Sequence, residues 1–184
     1  ASLDREDRTK YVLTIQGKDQ GNRRAPQAAT VEVIVSDTQD STPVFQQKEG
    51  YTFSVSEDSS LTGAELNRYV GQVIATTQDS VSTLTYRITS GDKDSHFTVN
   101  PSTGVITTGD VIDREHKDSY TLNILAEGGG YFAETSVSIT ISDVNDNIPT
   151  FPSETVEAAL IEDWPVGHEV HLAQAVDLDF GSNG

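Results

Sequence analysis

An internal repeat about as long as a small β-sandwich constrains this chain more than any other feature. Leu3-Asp4-Arg5-Glu6 reads like Ile112-Asp113-Arg114-Glu115. A Tyr-x-Leu-x-Ile stretch follows each quartet, Tyr11, Leu13 and Ile15 in one copy and Tyr120, Leu122 and Ile124 in the other. Alternating apolar residues come next: Val31, Val33 and Val35, then Val137, Ile139 and Ile141. Each copy closes on an acidic run ending in Pro-x-Phe, Asp37 to Phe45 and Asp143 to Phe151. Asp37 and Asp143 are 106 positions apart, one sandwich rather than one turn of a solenoid.

One repeat is whole, from about Pro43 to Asn147. The pattern predicts seven strands in it, near Thr52–Ser56, Gly71–Ala75, Thr83–Thr89, His96–Asn100, Gly104–Thr108, Ser119–Ala126 and Thr135–Ser142. Period-2 alternation in Tyr51, Phe53 and Val55, and in Leu84, Tyr86 and Ile88, sets an apolar face inward and a polar face outward. Pro101-Ser102-Thr103-Gly104 and Gly128-Gly129-Gly130 punctuate as turns. The expected fold class is all-β, tandem seven-stranded Greek-key immunoglobulin-like sandwiches. Residues 1–42 are expected to be the C-terminal part of one repeat, 43–148 a complete repeat, and 149–184 the N-terminal part of the next.

Charge and composition remove other classes. The formal net charge is −17, which leaves no basic footprint for nucleic acid. With no cysteine, disulfides, thiolate metal sites and cysteine nucleophiles are excluded. No apolar run reaches the roughly 18 residues that span a bilayer, and no signal-like segment opens the chain. Direct membrane insertion of this segment is therefore not expected.

The acids cluster beside Asn and Gly, which a merely solvated surface does not require. Calcium takes six to eight oxygens from carboxylates, amide oxygens and backbone carbonyls. Asp143-Val144-Asn145-Asp146-Asn147 offers all three kinds, and Asp177-Leu178-Asp179-Phe180-Gly181-Ser182-Asn183 offers a second set. Asp113 and Glu115 are separated by one residue, which in an extended stretch aims both the same way.

These motifs resemble the cadherin superfamily across essentially the whole chain. The matches are an acid after the first strand (Glu57, Glu162), the LDRE-type quartet, the DxNDN linker with its Pro-x-Phe, and DxDxGxN. The resemblance implies three calcium ions at each junction between repeats. At the second junction it assigns two ions to Glu57, Asp113, Glu115, Asp143 and Asp146, with the Val144 carbonyl and Asp179. It assigns the third to Asn145, the Asn147 carbonyl, Asp177, Asp179 and the Asn183 carbonyl, with a last ligand beyond Gly184. Seven carboxylates would then converge, and a like-charge pair about 4 Å apart costs roughly 4 kcal/mol at an effective dielectric near 20. Without cations the repeats should swing about the linker, and with calcium they should lock end to end. Pro149 removes a donor and fixes the backbone at the entry to the next repeat.

The first junction departs from this pattern. It keeps Asp4, Glu6, Asp37, the Thr38 carbonyl, Asp40 and Asp79. Gln39 and Ser41 replace the two asparagines of DxNDN, Thr77 stands where Asp177 stands later, and Ser82 and Thr83 occupy the region of the last Asn. Gly128 stands where the earlier copy has Asp19. This junction is expected to bind at most two ions and to be the more flexible one.

Competing readings fail on spacing. An EF-hand through Asp143, Asn145, Asn147 and Glu154 lacks the position-6 glycine, since Ile148 and Pro149 are there. His96, His116, His168 and His171 show no zinc spacing. His168 and His171 fall in an expected strand, on opposite faces. No Ser-His-Asp set stands out, and the paired acids lie in chain-end clusters rather than a glycosidase cleft; catalysis is not expected. Trp164, inside a third repeat, is expected to pack near the junction. Related repeats carry O-linked mannose on strands such as that of Ser136, Ser138 and Thr140.

The resemblance implies a segment of a calcium-dependent, membrane-anchored adhesion receptor on the extracellular side of the plasma membrane. Other cadherin-type ectodomains would be its partners, homophilic or heterophilic. The alternative is a ligand-recognition module binding a heterologous protein, for which the basic segment Gly21 to Pro26 is the candidate surface.

Overall fold

The computed structural model describes residues 3–57, 66–79 and 83–184. The strands are β1 (Lys10–Ile15), β2 (Ala29–Ile34), β3 (Val44–Phe45), β4 (Tyr51–Ser56), β5 (Tyr69–Gln72), β6 (Ala75–Thr76), β7 (Thr85–Ser90), β8 (Phe97–Val99), β9 (Val105–Thr108), β10 (Ser119–Gly128) and β11 (Tyr131–Ser142). One face of the sandwich is a four-stranded sheet in the order β4-β11-β10-β7, and the other is β5-β9-β8 with the short pair β3-β6.

The apolar alternation explains what lies between the sheets. Leu122 and Ile124 of β10 and Val137, Ile139 and Ile141 of β11 are buried, and they pack with Val73, Ile106 and Ile112. The β10–β11 hairpin closes through Gly129 and Gly130, with Gly128 opposite Tyr131. Both turn residues have positive φ, 62° and 86°, as the two-residue turn that matches strand twist requires.

The expected strand Gly71–Ala75 is instead two pieces on different partners. β5 pairs with β9, while β6 pairs with β3. Between them the Val73 amide donates to the Gly104 carbonyl at 3.0 Å. The Tyr51 hydroxyl donates to the Ile74 carbonyl at 3.0 Å and accepts from the Ile74 amide at 3.2 Å. The Tyr86 hydroxyl likewise accepts from the Ala75 amide at 3.0 Å. Buried tyrosines pack their rings and use their polar tips to satisfy a crossover backbone.

Among the described residues the flanking pieces have no second sheet. β1 and β2 form a lone antiparallel pair, and Val12, Leu13, Ile15, Val31 and Ile34 are exposed. After Pro149 the only ladder contact among the described residues is an isolated bridge, Thr150 to Val176. The strand expected around His168 and His171 is absent there, because that backbone meets no partner strand. Trp164 packs on His168, ring centroids 4.0 Å apart. No helix among the described residues is long and apolar enough to cross a membrane.

Candidate metal centre

Strand pairing delivers the second-junction acids to one end of the sandwich. β4 runs parallel to β11, with Ser56 opposite Ser142. The two strands therefore finish side by side and place Glu57 next to Asp143. The Glu57 amide continues the ladder to the Ser142 carbonyl at 3.0 Å. β10 runs antiparallel to β11, so the segment leading into it, with Asp113 and Glu115, lies at the same end.

Glu57 is 3% exposed. One of its oxygens accepts the Arg114 amide and the other the Val144 amide, both at 2.7 Å. A single carboxylate thus pins the quartet turn and the linker to the end of β4. The quartet is a turn rather than an extended stretch: the Asp113 carbonyl accepts the Lys117 amide at 3.0 Å, and its Oδ1 accepts the His116 amide at 3.0 Å. Alternation therefore does not bring Asp113 and Glu115 together.

Two carboxylate triads result, Glu57 with Glu115 and Asp143, and Glu115 with Asp146 and Asp179. Within each, one oxygen per residue lies within 4.8 Å of the others. Glu115 belongs to both, so the triads adjoin. Desolvation first, then the charges of Glu57, Asp146 and Asp113, push the Glu115 carboxyl above its usual range. Asp146 is raised in the same way, by desolvation and then by Glu57, Asp179, Asp113 and Asp143. Both carboxyls are thus raised by desolvation and by like charges around them despite the nearby Arg114 guanidinium. An all-oxygen donor set of this kind fits a hard divalent cation, calcium before zinc.

The following segment folds onto the same end. Asp179 is 7% exposed and accepts the Asn147 amide at 3.1 Å and the Asn147 side-chain Nδ2 at 2.8 Å. Asn147 Nδ2 also donates to Asp146 at 3.0 Å. The Asp179 amide donates to Asp177 at 3.1 Å. Asn183 donates to Asp143 at 2.9 Å, and its carbonyl accepts Asn145 Nδ2 at 3.3 Å. The residues expected at a third ion, Asn145, Asp177 and Asn183, thus gather around the triads without forming a carboxylate triad themselves.

The first junction groups its acids differently. Glu6, Asp37 and Asp79 form one triad, whereas the residues at the matching positions, Glu115, Asp143 and Asp179, are divided between the two triads of the second junction. The Asp79 amide donates to Thr77 Oγ1 at 3.3 Å, as Asp179 does to Asp177. The Ser41 amide donates to Asp79 at 3.2 Å, as Asn147 does to Asp179, but serine has no side-chain amide to reach a second carboxylate. Asp40 stays exposed, with Thr38 Oγ1 at 3.5 Å, and joins no triad. Asp4 caps its own turn through the Glu6 and Asp7 amides at 2.9 and 3.2 Å. Ser82 lies outside the described residues.

Sequence reasoning missed the two arginines inside the repeated quartets. Arg114 lies over the Phe180 ring at 4.2 Å and 3.4 Å from Asp143. Arg5 pairs with Asp37 at 2.8 Å, and that carboxylate raises its pKa. Their recurrence between two acids was the available signal. The basic loop also changes character: Asp19 accepts the Arg23 amide at 2.8 Å and Arg23 Nε at 3.0 Å, so one of its two arginines is neutralised.

Known proteins resemble this chain along its whole length. The Cadherin domain family model matches residues 51–142. Mouse Protocadherin Fat 4 is 44% identical over 183 residues, covering 100% of this chain and 4% of that protein. Human Protocadherin Fat 1 is 37% identical over 188 residues, again 100% of this chain and 4% of the relative. The chain thus spans a small fraction of these relatives. Among solved structures, mouse cadherin-23 EC22-24 superposes with a TM-score of 0.80 at 29% identity, over 100% of this chain and 58% of that one. The protocadherin gammaB7 EC3-6 cis-dimer gives a TM-score of 0.80 at 30% identity, over 100% and 46%.

Proposed function

The chain belongs to the cadherin superfamily, whose repeats are adhesion modules rather than enzymes, and we propose that it is a spacer segment of an extracellular adhesion array stiffened by calcium at its repeat junctions. In this reading residues 43–148 are a complete repeat, flanked by the end of one and the start of another. The parent protein is anchored in the plasma membrane and meets other cadherin-type ectodomains.

The adjoining triads that share Glu115 carry the reading. Glu57, Glu115 and Asp143 would hold one calcium ion, and Glu115, Asp146 and Asp179 a second. By the resemblance, Asp113 and the Val144 carbonyl would complete these two sites, and Asn145, Asp177, Asp179 and the Asn147 and Asn183 carbonyls would hold a third ion. Calcium would supply positive charge where desolvation and neighbouring carboxylates raise Glu115 and Asp146. Asp179 comes from the far side of the linker and the others from the complete repeat, so one charge cluster spans the hinge. Rigidity is the product; no bond is made or broken. The first junction, where Gln39, Ser41 and Thr77 stand in place of third-ion ligands, binds at most two ions and bends more readily.

Small-angle scattering tests this on the chain extended to whole repeats at both ends. Millimolar calcium is expected to give an extended particle, and chelator a shorter, broader distribution of shapes. Indifference to calcium would sink the reading. Asp146→Ala is expected to remove calcium stiffening at the second junction while leaving the sandwich folded, because Asp146 is exposed and outside the core. Circular dichroism melts in chelator should overlay those of the parent chain; a collapsed melt would give Asp146 a structural role instead.

A further inference from the structure

We propose that Arg5 is a built-in cation of the first junction, tying the two sides of the boundary together when no metal is bound. Arg5 Nε lies 2.8 Å from Asp37 Oδ1. The same guanidinium contacts the Glu6 carboxylate and donates from Nη2 to the Gln78 carbonyl at 3.0 Å. Asp37 and Glu6 precede the linker, whereas Gln78 follows it, between β6 and Asp79. One planar fork therefore touches two of the three triad carboxylates and the backbone beside the third. The guanidinium suits this work because it is permanently charged and presents several donors in fixed directions.

Arg114 does something different at the equivalent place. It lies over the Phe180 ring and keeps a 3.4 Å contact to Asp143. Among the described residues its side-chain ion pairs are with Glu115 and Asp143, on its own side of the linker. The two copies of one quartet thus use one residue type in two ways. At the second junction two triads adjoin and Glu115 and Asp146 are raised by their neighbours' charges. At the first, an organic cation already sits on Asp37 and Glu6.

A second contact works in the same direction. Gln39, which replaces the first asparagine of the linker, packs on the β10–β11 turn: a Cβ built on Gly129 would come within 2.8 Å of the Gln39 Cβ. The linker thus leans on the hairpin of the complete repeat without a metal.

This inference rests on Glu6, Asp37 and Asp79 being the first junction's cation site, but its test does not need calcium to bind. The chain, labelled with 15N, is studied by NMR in chelator. The Arg5 Nη protons are expected to exchange with water at least about tenfold more slowly than those of Arg24, as the hydrogen bonds from Nη2 to Glu6 and to the Gln78 carbonyl predict. Arg5→Ala is expected to lower the heteronuclear NOE of Thr38 to Thr42 and leave that of Asn145 to Ile148 unchanged. Arg114→Ala should leave Thr38 to Thr42 as they were. Equal exchange rates for Arg5 and Arg24, or an unaltered linker in Arg5→Ala with the strand amides of residues 51–142 intact, would overturn the brace. Calcium titration of the unsubstituted chain is read separately: failure to shift the Glu6, Asp37 and Asp79 resonances strikes the metal reading and leaves the brace to the chelator data.

Discussion

Glu57→Ala should weaken calcium binding at the second junction by about 100-fold and also destabilise the metal-free sandwich by about 2–3 kcal/mol, the range expected when hydrogen bonds to a charged, buried group are lost. Both effects follow from one placement. Glu57 is buried at the end of β4, and its two oxygens hold the Arg114 and Val144 amides at 2.7 Å. Alanine removes a triad carboxylate and at the same time frees the quartet turn and the linker start. Glu115 and Asp143 would then keep their charges and lose the residue that sets their spacing. Glu57→Gln separates the two effects. The amide keeps one acceptor oxygen and gives up the charge, so stability should be lost only in part while calcium affinity still falls steeply. Calorimetric titration measures the first quantity and urea unfolding in chelator the second. Affinity in Glu57→Ala within threefold of the parent would mean that the triads are not the metal centre.

Much of the fold was legible because its cause is local and periodic. Val137, Ile139 and Ile141 alternate in the sequence, and all three are buried. What could not be read depends on groups distant in sequence. The break between β5 and β6 is satisfied by the hydroxyl of Tyr51, 23 positions from Ile74, and no pattern within Gly71–Ala75 announces it. The short strand β3 exists only because β6 is there to pair with it. The strand expected at His168 has suitable residues but no neighbour on which to form a ladder.

The site divides along the same line. Residue types and spacing identified the acids of both junctions, since calcium chemistry dictates oxygen donors. They did not show that the quartet is a turn, so the pairing of Asp113 with Glu115 by strand alternation was wrong in its geometry. Nor did they show that Glu115, rather than Asp113, is shared between triads. That follows from the Asp113 carbonyl and carboxylate closing the turn on Lys117 and His116. The arginine between the acids was given no role by the sequence, and only the structure gives it partners.

Stability and metal binding are separable, and Gly91 gives the complementary case to Asp146. Gly91 leaves β7 with φ of +96°, and a Cβ placed on it would lie 1.9 Å from the Thr121 carbonyl oxygen. That neighbour is backbone of β10, immediately before the fully buried Leu122, so it cannot move aside cheaply. Gly91 also starts the turn in which Asp92 accepts the His96 and Phe97 amides, both at 2.9 Å. Gly91→Ala must therefore either strain the backbone or prise β7 from β10, and a loss of about 3–5 kcal/mol is expected. Neither Gly91 nor Thr121 is a triad residue; the triads hang from the ends of β4 and β11 and from the segments before β10 and after the linker. Calcium should still bind the folded fraction and raise the melting temperature, as a ligand selective for the native state does. In chelator, Gly91→Ala should melt well below the parent chain, yet recover a calcium-dependent rise. Asp146→Ala should melt like the parent in chelator and lose that rise. A Gly91→Ala chain losing less than about 1 kcal/mol would show that β10 yields at Thr121. The sandwich would then be a softer support for the junction than its packing implies.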